Sequence, residues 1–339
     1  MLSLIRTWKK LNEKGIMGIN QRNADYILKY NDRRNYPLVD DKILTKRYAM
    51  RAGISVPELY GIIRTEHEIS KLKNIIKDHR DFVIKPAQGS GGDGIIVIAD
   101  RYGDDRYKTV SGKLIRHSEI EHQLSNIITG LYSLGGSRDS AIIEYRVQPD
   151  PIFKSISYEG VPDLRVIVLM GYPVMAMLRL PTRQSNGKAN LHQGAIGVGV
   201  DLATGITLNG SWLNEQIERH PDTDNLVSNI QLPLWEDFLR LATNCYELVN
   251  LGYIGVDLVL DKDKGPLILE INARPGLNIQ IANDVGLYQR TSVVEAHLAQ
   301  LKADNKVETP EERMAFSMKN FSLFSKSEPF KAEFSEPEL

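Results

Sequence analysis

The sequence predicts an α+β fold made of antiparallel hairpins covered by amphipathic helices. Three kinds of stretch carry this expectation. "DFVIKPAQGSGGDGIIVIAD", residues 81–100, sets a glycine-rich loop between two β-rich runs. "LRVIVLMGYPVMAMLRL" folds back at "GYP" as a hairpin, and "YIGVDLVLDKDKGPLILEINARPG" is a second hairpin with a charged turn. "PLWEDFLRLATNCYELV" repeats its apolar residues at helical spacing and supplies a cover.

In chain order, "MLSLIRTWKKLNEKG" is a short amphipathic stretch, read as a packed helix. It lacks the long apolar core and small-residue cleavage site of a signal peptide. Asp40 or Asp41 caps a helix carrying Lys42, Leu44, Tyr48 and Ala49, which Gly53 and Pro57 end. "EHEISKLKNIIKDH" has helical spacing, with Ile69, Leu72, Ile75 and Ile76 on one side. After the glycine hairpin come a polar section from Arg101 to Ser118 and a helix in "SEIEHQLSNIITGLYSL". "SAIIEYRV" is a buried strand with a charged tip, and "LHQGAIGVGVDLATG" continues the sheet in glycine-rich form. Beyond Lys302 the chain is rich in Ser, Glu, Lys and Pro, with spaced phenylalanines. Such a segment has too little contiguous apolar surface to fold alone. It is expected to be a disordered tail, or a Phe-bearing segment that docks on a partner.

Composition narrows the function. At 42% hydrophobic, 25% charged and a net charge of −1, the chain is ordinary for a globular protein and has no broad pull toward nucleic acid or anionic membrane. No apolar run approaches the roughly 20 residues of a spanning helix. The cytoplasm is therefore the expected compartment. Cys245, the only cysteine, excludes an internal disulfide or a cysteine-rich zinc site and reads as a small core residue. His67, His79, His117, His122, His220 and His297 lack ligand spacing.

Gly89, Gly91 and Gly94 satisfy G-x-G-x-x-G. A dinucleotide site needs a helix after those glycines, so that its N-terminus meets the pyrophosphate. The β-branched "GIIVIAD" follows instead, and no Gly-Lys-Ser/Thr completes a Walker A loop. The loop therefore reads as the tip of an antiparallel hairpin. Its glycines let backbone N–H groups approach phosphate oxygens, Ser90 adds a hydroxyl, and Lys85 adds a charge. A hairpin tip without a ligand is the plainer alternative. In the last hairpin, Glu270 and Asn272 lie two apart on one face, and Asp257 meets them across the strands. Two carboxylates and an amide oxygen suit Mg²⁺, with Mn²⁺ as an alternative, and do not suit zinc. A carboxylate inside "LILEIN" requires a partner, such as a metal or Arg274. Asp261, Lys262, Asp263 and Lys264 read as a solvated turn.

The succession "DDK", "VIKP", glycine hairpin, "IIEY", "DLR", "NLHQGA" and "D…LEINARPG" resembles the ATP-grasp superfamily over residues 40–300. Within it the chain looks most like the RimK-type branch, the α-L-glutamate ligase-like proteins. The resemblance implies two α+β lobes with ATP between them. It assigns residues 40–302 to that domain, with 81–147 covering the nucleotide and 148–302 binding metal, after an N-terminal helical segment of residues 1–39 and before a flexible tail of 303–339. Lys42 and Lys85 match phosphate-facing lysines, beside Gly89, Ser90, Gly91 and Gly92 of the loop. Glu144, Tyr145, Arg146 and Val147 match the hinge that meets adenine. There the backbone of Tyr145 and Arg146 would read the base edge and Val147 would pack on it. Asp163 matches the acid near the ribose, and Lys188 and Asn190 match the polar pair near the triphosphate. Asp257, Glu270 and Asn272 match the magnesium ligands. Arg165 and Arg274 would face the transferred phosphate, unless Arg165 is tied up by Asp163 or Glu144. His192 is read as orienting its loop, with a general base as the alternative.

Two departures stand out. RimK-type ligases usually carry a full α/β domain before the "DK" helix, where this chain has residues 1–39, and "NARPGL" replaces the usual "NASPGL". The function implied is Mg·ATP-dependent joining of a carboxylate to an amine, with glutamate or another amino acid added to a peptide or small acid. The alternatives are an ATP-binding module without turnover, or, on the glycine spacing alone, a dinucleotide oxidoreductase. The expected partners are small-molecule or peptide substrates, a second copy of the chain, or a protein that docks the tail. No nucleic acid is expected.

Overall fold

The computed structural model describes residues 11, 13–89, 91–103, 105–133 and 136–323. Helix α1 (Lys42–Arg51) is followed by strands β1 (Leu59–Ile63), β2 (Phe82–Pro86), β3 (Ile96–Tyr102), β4 (Arg106–Thr109) and β5 (Leu114–Arg116), helix α2 (His117–Ile128) and strand β6 (Ala141–Glu144). These strands form a six-stranded sheet in the order β1-β6-β2-β3-β4-β5, antiparallel throughout. Then come β7 (Asp163–Leu169), β8 (Tyr172–Leu180), β9 (Ile196–Val200), β10 (Thr207–Trp212), β11 (Glu215–Ile217), α3 (Trp235–Val249), β12 (Tyr253–Asp261) and β13 (Gly265–Asn272). They make a second antiparallel sheet, β11-β10-β9-β8-β7-β12-β13. Helices α4 (Ile279–Asn283), α5 (Leu287–Ala303) and α6 (Pro310–Phe321) follow, the last of the described elements. Two antiparallel sheets with helices on their faces are the α+β arrangement that the hairpins predict.

The smaller lobe closes its core through the period of α2. Ile120, Leu124, Ile127 and Ile128 recur at helical spacing and pack on Phe82, Ile84, Ile98 and Ile143. Asp41 caps α1, its carboxylate accepting from the N–H of Ile43 at 2.8 Å and of Leu44 at 3.3 Å. In the larger lobe β8 and β12 are buried along their whole length, because helices and neighbouring strands cover both faces. Gly199 of β9 is what lets α4 lie against the sheet. A Cβ there would fall 2.5 Å from the Ala282 carbonyl oxygen.

Several expectations change on folding. The helix predicted over 66–79 is a 3₁₀ turn, Glu66–Lys71, and a single α turn, Leu72–Ile75. Beyond Ile76 the sequence is Lys-Asp-His-Arg, with no apolar face left to bury. The polar section after Arg101 contains β4 and β5, each offering one buried side chain, Tyr107 and Ile115. That is too little alternation to read as strands. Residues 310–321, expected in a disordered tail, form α6. It begins with a capping box between Thr309 and Glu312 and buries Phe321, whose ring lies under the Arg290 guanidinium. Its apolar residues are too sparse to form a core alone but fill gaps in one already built. Residues 1–10 of the N-terminal segment and 324–339 of the tail lie outside the described residues.

The segment before α1 is helical over Ile19–Tyr30, with a π turn at Arg22–Ile27, and docks on the larger lobe. Asn31 donates to the carbonyls of Tyr253 (2.8 Å) and Ala273 (3.1 Å) and accepts from the Tyr253 N–H (2.8 Å). Gln280 exchanges two bonds with the Met17 backbone. Cys245 is fully buried, which pushes its thiol pKa up, as a core residue should.

Truncating Phe321 to Ala leaves a cavity under α6 and should cost about 3 kcal/mol of unfolding free energy in a urea titration. An unchanged midpoint would show that this helix adds nothing to the fold.

Candidate active site

A cleft of about 370 Å³ opens between the glycine loop of the smaller lobe and strands β7, β8, β12 and β13 of the larger one. Gly91 and Gly92 form its roof. Both have positive φ, at 67° and 80°, which glycine alone adopts without strain. The floor consists of Asp163, Arg165, Arg179 and Asp257, and the walls include Lys188, Asn190, His192, Glu270, Asn272 and Asn278. A narrower crevice of about 10 Å³, lined by Lys42, Lys46, Lys85 and Glu270, continues from it. Leu269 and Glu270 border both spaces.

Strand register explains the floor. Asp257 on β12 lies opposite Arg165 on β7 and Glu270 on β13, and Asp163 lies opposite Arg179 on β8. Between Asp257 and Leu258 the pairing with β13 slips by one residue, leaving Leu269 as a bulge. Arg165 grips Asp257 in bidentate fashion, Nε to Oδ1 at 2.6 Å and Nη2 to Oδ2 at 2.5 Å. Arg179 grips Asp163 the same way and also reaches Asp257 Oδ2 at 2.9 Å. The result is an alternating buried row, Asp163–Arg179–Asp257–Arg165. Burial pushes the Asp257 carboxyl up, but Arg165 and Arg179 outweigh it and hold the group below the usual range. Asp163 moves the other way: burial, together with the charge on Asp257, raises it despite Arg179. Asp163 therefore serves as a counter-ion in the floor, each of its oxygens accepting from Arg179.

Arg274 is also displaced from its expected place. It is exposed and stacks on the Tyr36 ring, 4.8 Å from the centroid, outside the lining of the cleft. The second guanidinium of the floor is Arg179, which sequence reading missed. "MLRL" looks like a strand end, and only the β7–β8 register brings Arg179 to Asp163. The partner of Glu270 is Lys42, with Nζ 3.6 Å from Oε1, and not Arg274. Neither Asp163 nor Glu144 ties up Arg165; Asp257 does.

The lysines divide into two groups. Lys42 donates from Nζ to the Gly89 carbonyl at 2.7 Å and so pins the base of the glycine loop. Lys85 is buried and meets Glu144 Oε1 at 2.5 Å, while Lys46, one turn along α1 from Lys42, meets Glu144 Oε2 at 2.9 Å. Lys46 was not anticipated, since i, i+4 lysines on a helix usually read as a solvated face. On the opposite side of the cleft, Lys188 reaches up to Asp93 of the loop at 3.4 Å. Asn190 caps a 3₁₀ turn by accepting from the His192 N–H at 3.0 Å, which leaves the exposed His192 at the rim. Ser90 lies outside the described residues.

The hinge is held by a residue that looked solvated. Asp261 is 1% exposed and accepts from the N–H groups of Gln148 (2.8 Å), Asp263 (2.9 Å) and Lys264 (3.0 Å). Burial raises its carboxyl, and those bonds together with the Tyr145 hydroxyl bring it below the usual range. The Tyr145 N–H donates to the Glu58 carbonyl at 2.8 Å, so a base edge there would have to be read by its own carbonyl. The Arg146 side chain bonds Asp81 at 2.9 Å. Val147 packs with Val259 and Leu267 as an apolar surface.

The donor chemistry fits a hard divalent cation. Glu270 is a third exposed at its side chain, and Asn272 lies beside it on the cleft wall. Asp257 would have to share an oxygen with a guanidinium, because its Oδ1 accepts from Arg165 and its Oδ2 from Arg165, Arg179 and Asn272. Among the described residues no group of three His, Cys, Asp or Glu side chains is placed to hold a metal. A cation here would therefore rest on two carboxylates, one amide and its substrate, as Mg²⁺ commonly does.

A model of the sugar-transfer associated ATP-grasp family matches residues 21–296. The chain belongs to this family. The ATP-grasp fold is thereby shown, with its paired antiparallel sheets. Solved structures similar to the chain include the ATP-grasp ligase PsnB complexed with a minimal precursor, at 13% identity and a TM-score of 0.42, over 80% of this chain and 63% of that one. The D-alanine–D-alanine ligase of Bacillus anthracis is similar at 15% identity and a TM-score of 0.43, over 86% of this chain and 71% of that one. The chain thus spans less than two thirds of PsnB. No curated protein matches it in sequence. The family assignment rests on the sequence match. Among the described residues no helix is long and apolar enough to cross a membrane.

Replacing Arg179 by Ala strands the buried Asp163 carboxylate and removes one of the two guanidiniums on Asp257, and should destabilise this ATP-grasp chain by about 3–5 kcal/mol in denaturant titrations, far more than Arg274→Ala. Equal effects for the two variants would contradict the buried row.

Proposed function

We propose that the chain is a Mg·ATP-dependent carboxylate–amine ligase that works through an acyl phosphate. One observation carries this reading. The glycine roof with Lys188, and the Asp257, Glu270 and Asn272 wall, face each other across one cleft with two guanidiniums beneath it. Family membership supports ATP as the nucleotide, and the "DLR" and "NLHQGA" stretches, RimK-like in pattern, support an acid and an amine as co-substrates.

The residues divide the task as follows. Lys42 and Lys85, in the crevice that continues from the cleft, would meet phosphate oxygens, and Val147 would pack on the base. The crevice is too narrow for a nucleotide as it stands, so the lobes must part to admit one. Bound between Asp257, Glu270 and Asn272, Mg²⁺ would supply neutralisation of phosphate charge. Arg165 and Arg179, fixed by their carboxylates, present N–H groups to the charge that develops on the transferred phosphoryl group. A carboxylate oxygen of the substrate attacks the γ-phosphorus, and the bond to ADP breaks with its electron pair leaving on ADP. The amine lone pair then attacks the acyl carbon, the carbon–oxygen bond breaks, phosphate departs with that pair, and the amine gives up a proton. No side-chain nucleophile is required. The reading places the protein in the cytoplasm, where ATP is supplied.

A second reading has one observation in its favour. Two guanidiniums already neutralise Asp257, which a binding module without turnover would tolerate. Mg·ATP with mixed amino acids, short peptides and small acids separates the two. ADP release that requires both an acid and an amine supports the ligase, and tight ATP binding without release across the panel supports the module. Glu270→Gln should lower turnover on the order of 100-fold with an unchanged melting curve. Full activity in that variant would remove the metal assignment.

A further inference from the structure

Of the cluster formed by Lys46, Glu144 and Lys85, only Lys85 has a part in the chemistry above. It lies where α1 meets strands β2 and β6, and Lys46 and Lys85 help to line the narrow crevice. All three side chains are nearly closed to solvent, at 6%, 4% and 10% exposure. Glu144 stands between two ammonium groups, Lys46 on Oε2 and Lys85 on Oε1. Lys46 has a second anchor, the Pro57 carbonyl at 2.5 Å, which fixes it to the segment leading into β1. Lys85 has the same carboxylate and lines the crevice.

This arrangement poses a charge problem. A carboxylate at 2.5 Å cancels most of the field of a single lysine. Were Lys85 and Glu144 alone, the pair would be neutral, and the lysine would be held away from any phosphate. A second ammonium on the same carboxylate restores a net charge of +1 to the cluster and weakens the hold of Glu144 on Lys85. We propose that Lys46 is a positioning residue for the nucleotide: through Glu144 it sets how much of the Lys85 charge reaches a bound phosphate. The inference rests on the nucleotide reading of the cleft and adds to it a residue that acts through Glu144.

The titration of the cluster supports this. Burial pushes Lys46 down to about 8, with Lys85 adding to that and Glu144 opposing it. Burial raises Glu144, but Lys85 and Lys46 outweigh it and hold it ionised. Elements packed against α1 carry other charges, including Asp40, Glu270 and the acids of α3. Only those of Glu144 and Lys85 shift Lys46. As pH rises through about 8, Lys46 loses its proton, the cluster falls from +1 to neutral, and Lys85 is drawn back to Glu144. Phosphate binding favours the protonated form, so it weakens above that pH and draws a proton in near it.

The test is calorimetric titration of the full chain with Mg·ATP at pH 7 and pH 9, in buffers of differing ionisation heat. The wild type should bind about tenfold more weakly at the higher pH and take up part of a proton near pH 8. Lys46→Met should bind weakly at both pH values, without that dependence or uptake. Lys46→Arg, charged throughout, should keep its affinity at pH 9. Wild-type binding that is flat with pH, or a Lys46→Met variant with the wild-type profile, overturns the proposal and leaves the nucleotide site standing. No binding at any pH overturns both. The proton uptake is read on the wild type, so the test holds even where a variant fails to fold.

Discussion

The larger lobe is organised around a charge constraint at its floor. Two carboxylates and two guanidiniums are buried side by side on three adjacent strands. Such a row is tolerable only if every charge has its partner, since the cost of one unpaired buried ion exceeds most single contacts in a protein. The constraint fixes the register of β7 against both β8 and β12, because a one-residue slip would turn the charged groups to the opposite face. It also immobilises Arg165 and Arg179 in the lining of the cleft. Rigid donors of this kind stabilise developing charge without reorganising when it appears.

The smaller lobe meets the cleft through its glycine loop. A Cβ on Gly92 would lie in ordinary van der Waals contact with the Lys188 side chain, at 3.7 Å. Lys42 ties the base of the loop by its backbone, and Asp93 ties its tip through a surface pair with Lys188. Exposed pairs of this sort are weak and easily exchanged for a phosphate. The hinge is the reverse. Asp261 gathers three backbone N–H groups and the Tyr145 hydroxyl, so the turn of the last hairpin and the strand end that would meet adenine move as one piece.

The segment before α1 and helix α6 are spent on the larger lobe. Asn31 satisfies backbone groups of β12 and of the loop after β13, much as an added strand would. At the other end α6 covers β8 and places Arg313 against Glu247 of α3. The two sheets thus differ in support: the six-stranded sheet has α2 as its main cover, and the seven-stranded one has helices from both ends of the chain.

Local pattern determined a good deal. The hairpins, α1 with its Asp41 cap, α3 and the strand positions of Asp257, Glu270 and Asn272 follow from alternation, capping chemistry and helical spacing, which act between neighbours in sequence. Lys85 and the glycine loop were read from the hairpin pattern, whereas Lys42 was singled out by the resemblance. What the sequence could not show is which distant charges would be buried together. Arg179 replaces Arg274, Lys46 joins Glu144, and Asp261 leaves the solvent, each through the packing of segments tens to hundreds of residues apart. Helix α6 shows the same division, because its few apolar residues gain stability only from a surface that the rest of the chain has already built. Tertiary structure decides these matters because the cost of burying a charge depends on the partners around it, and a linear pattern does not contain those partners.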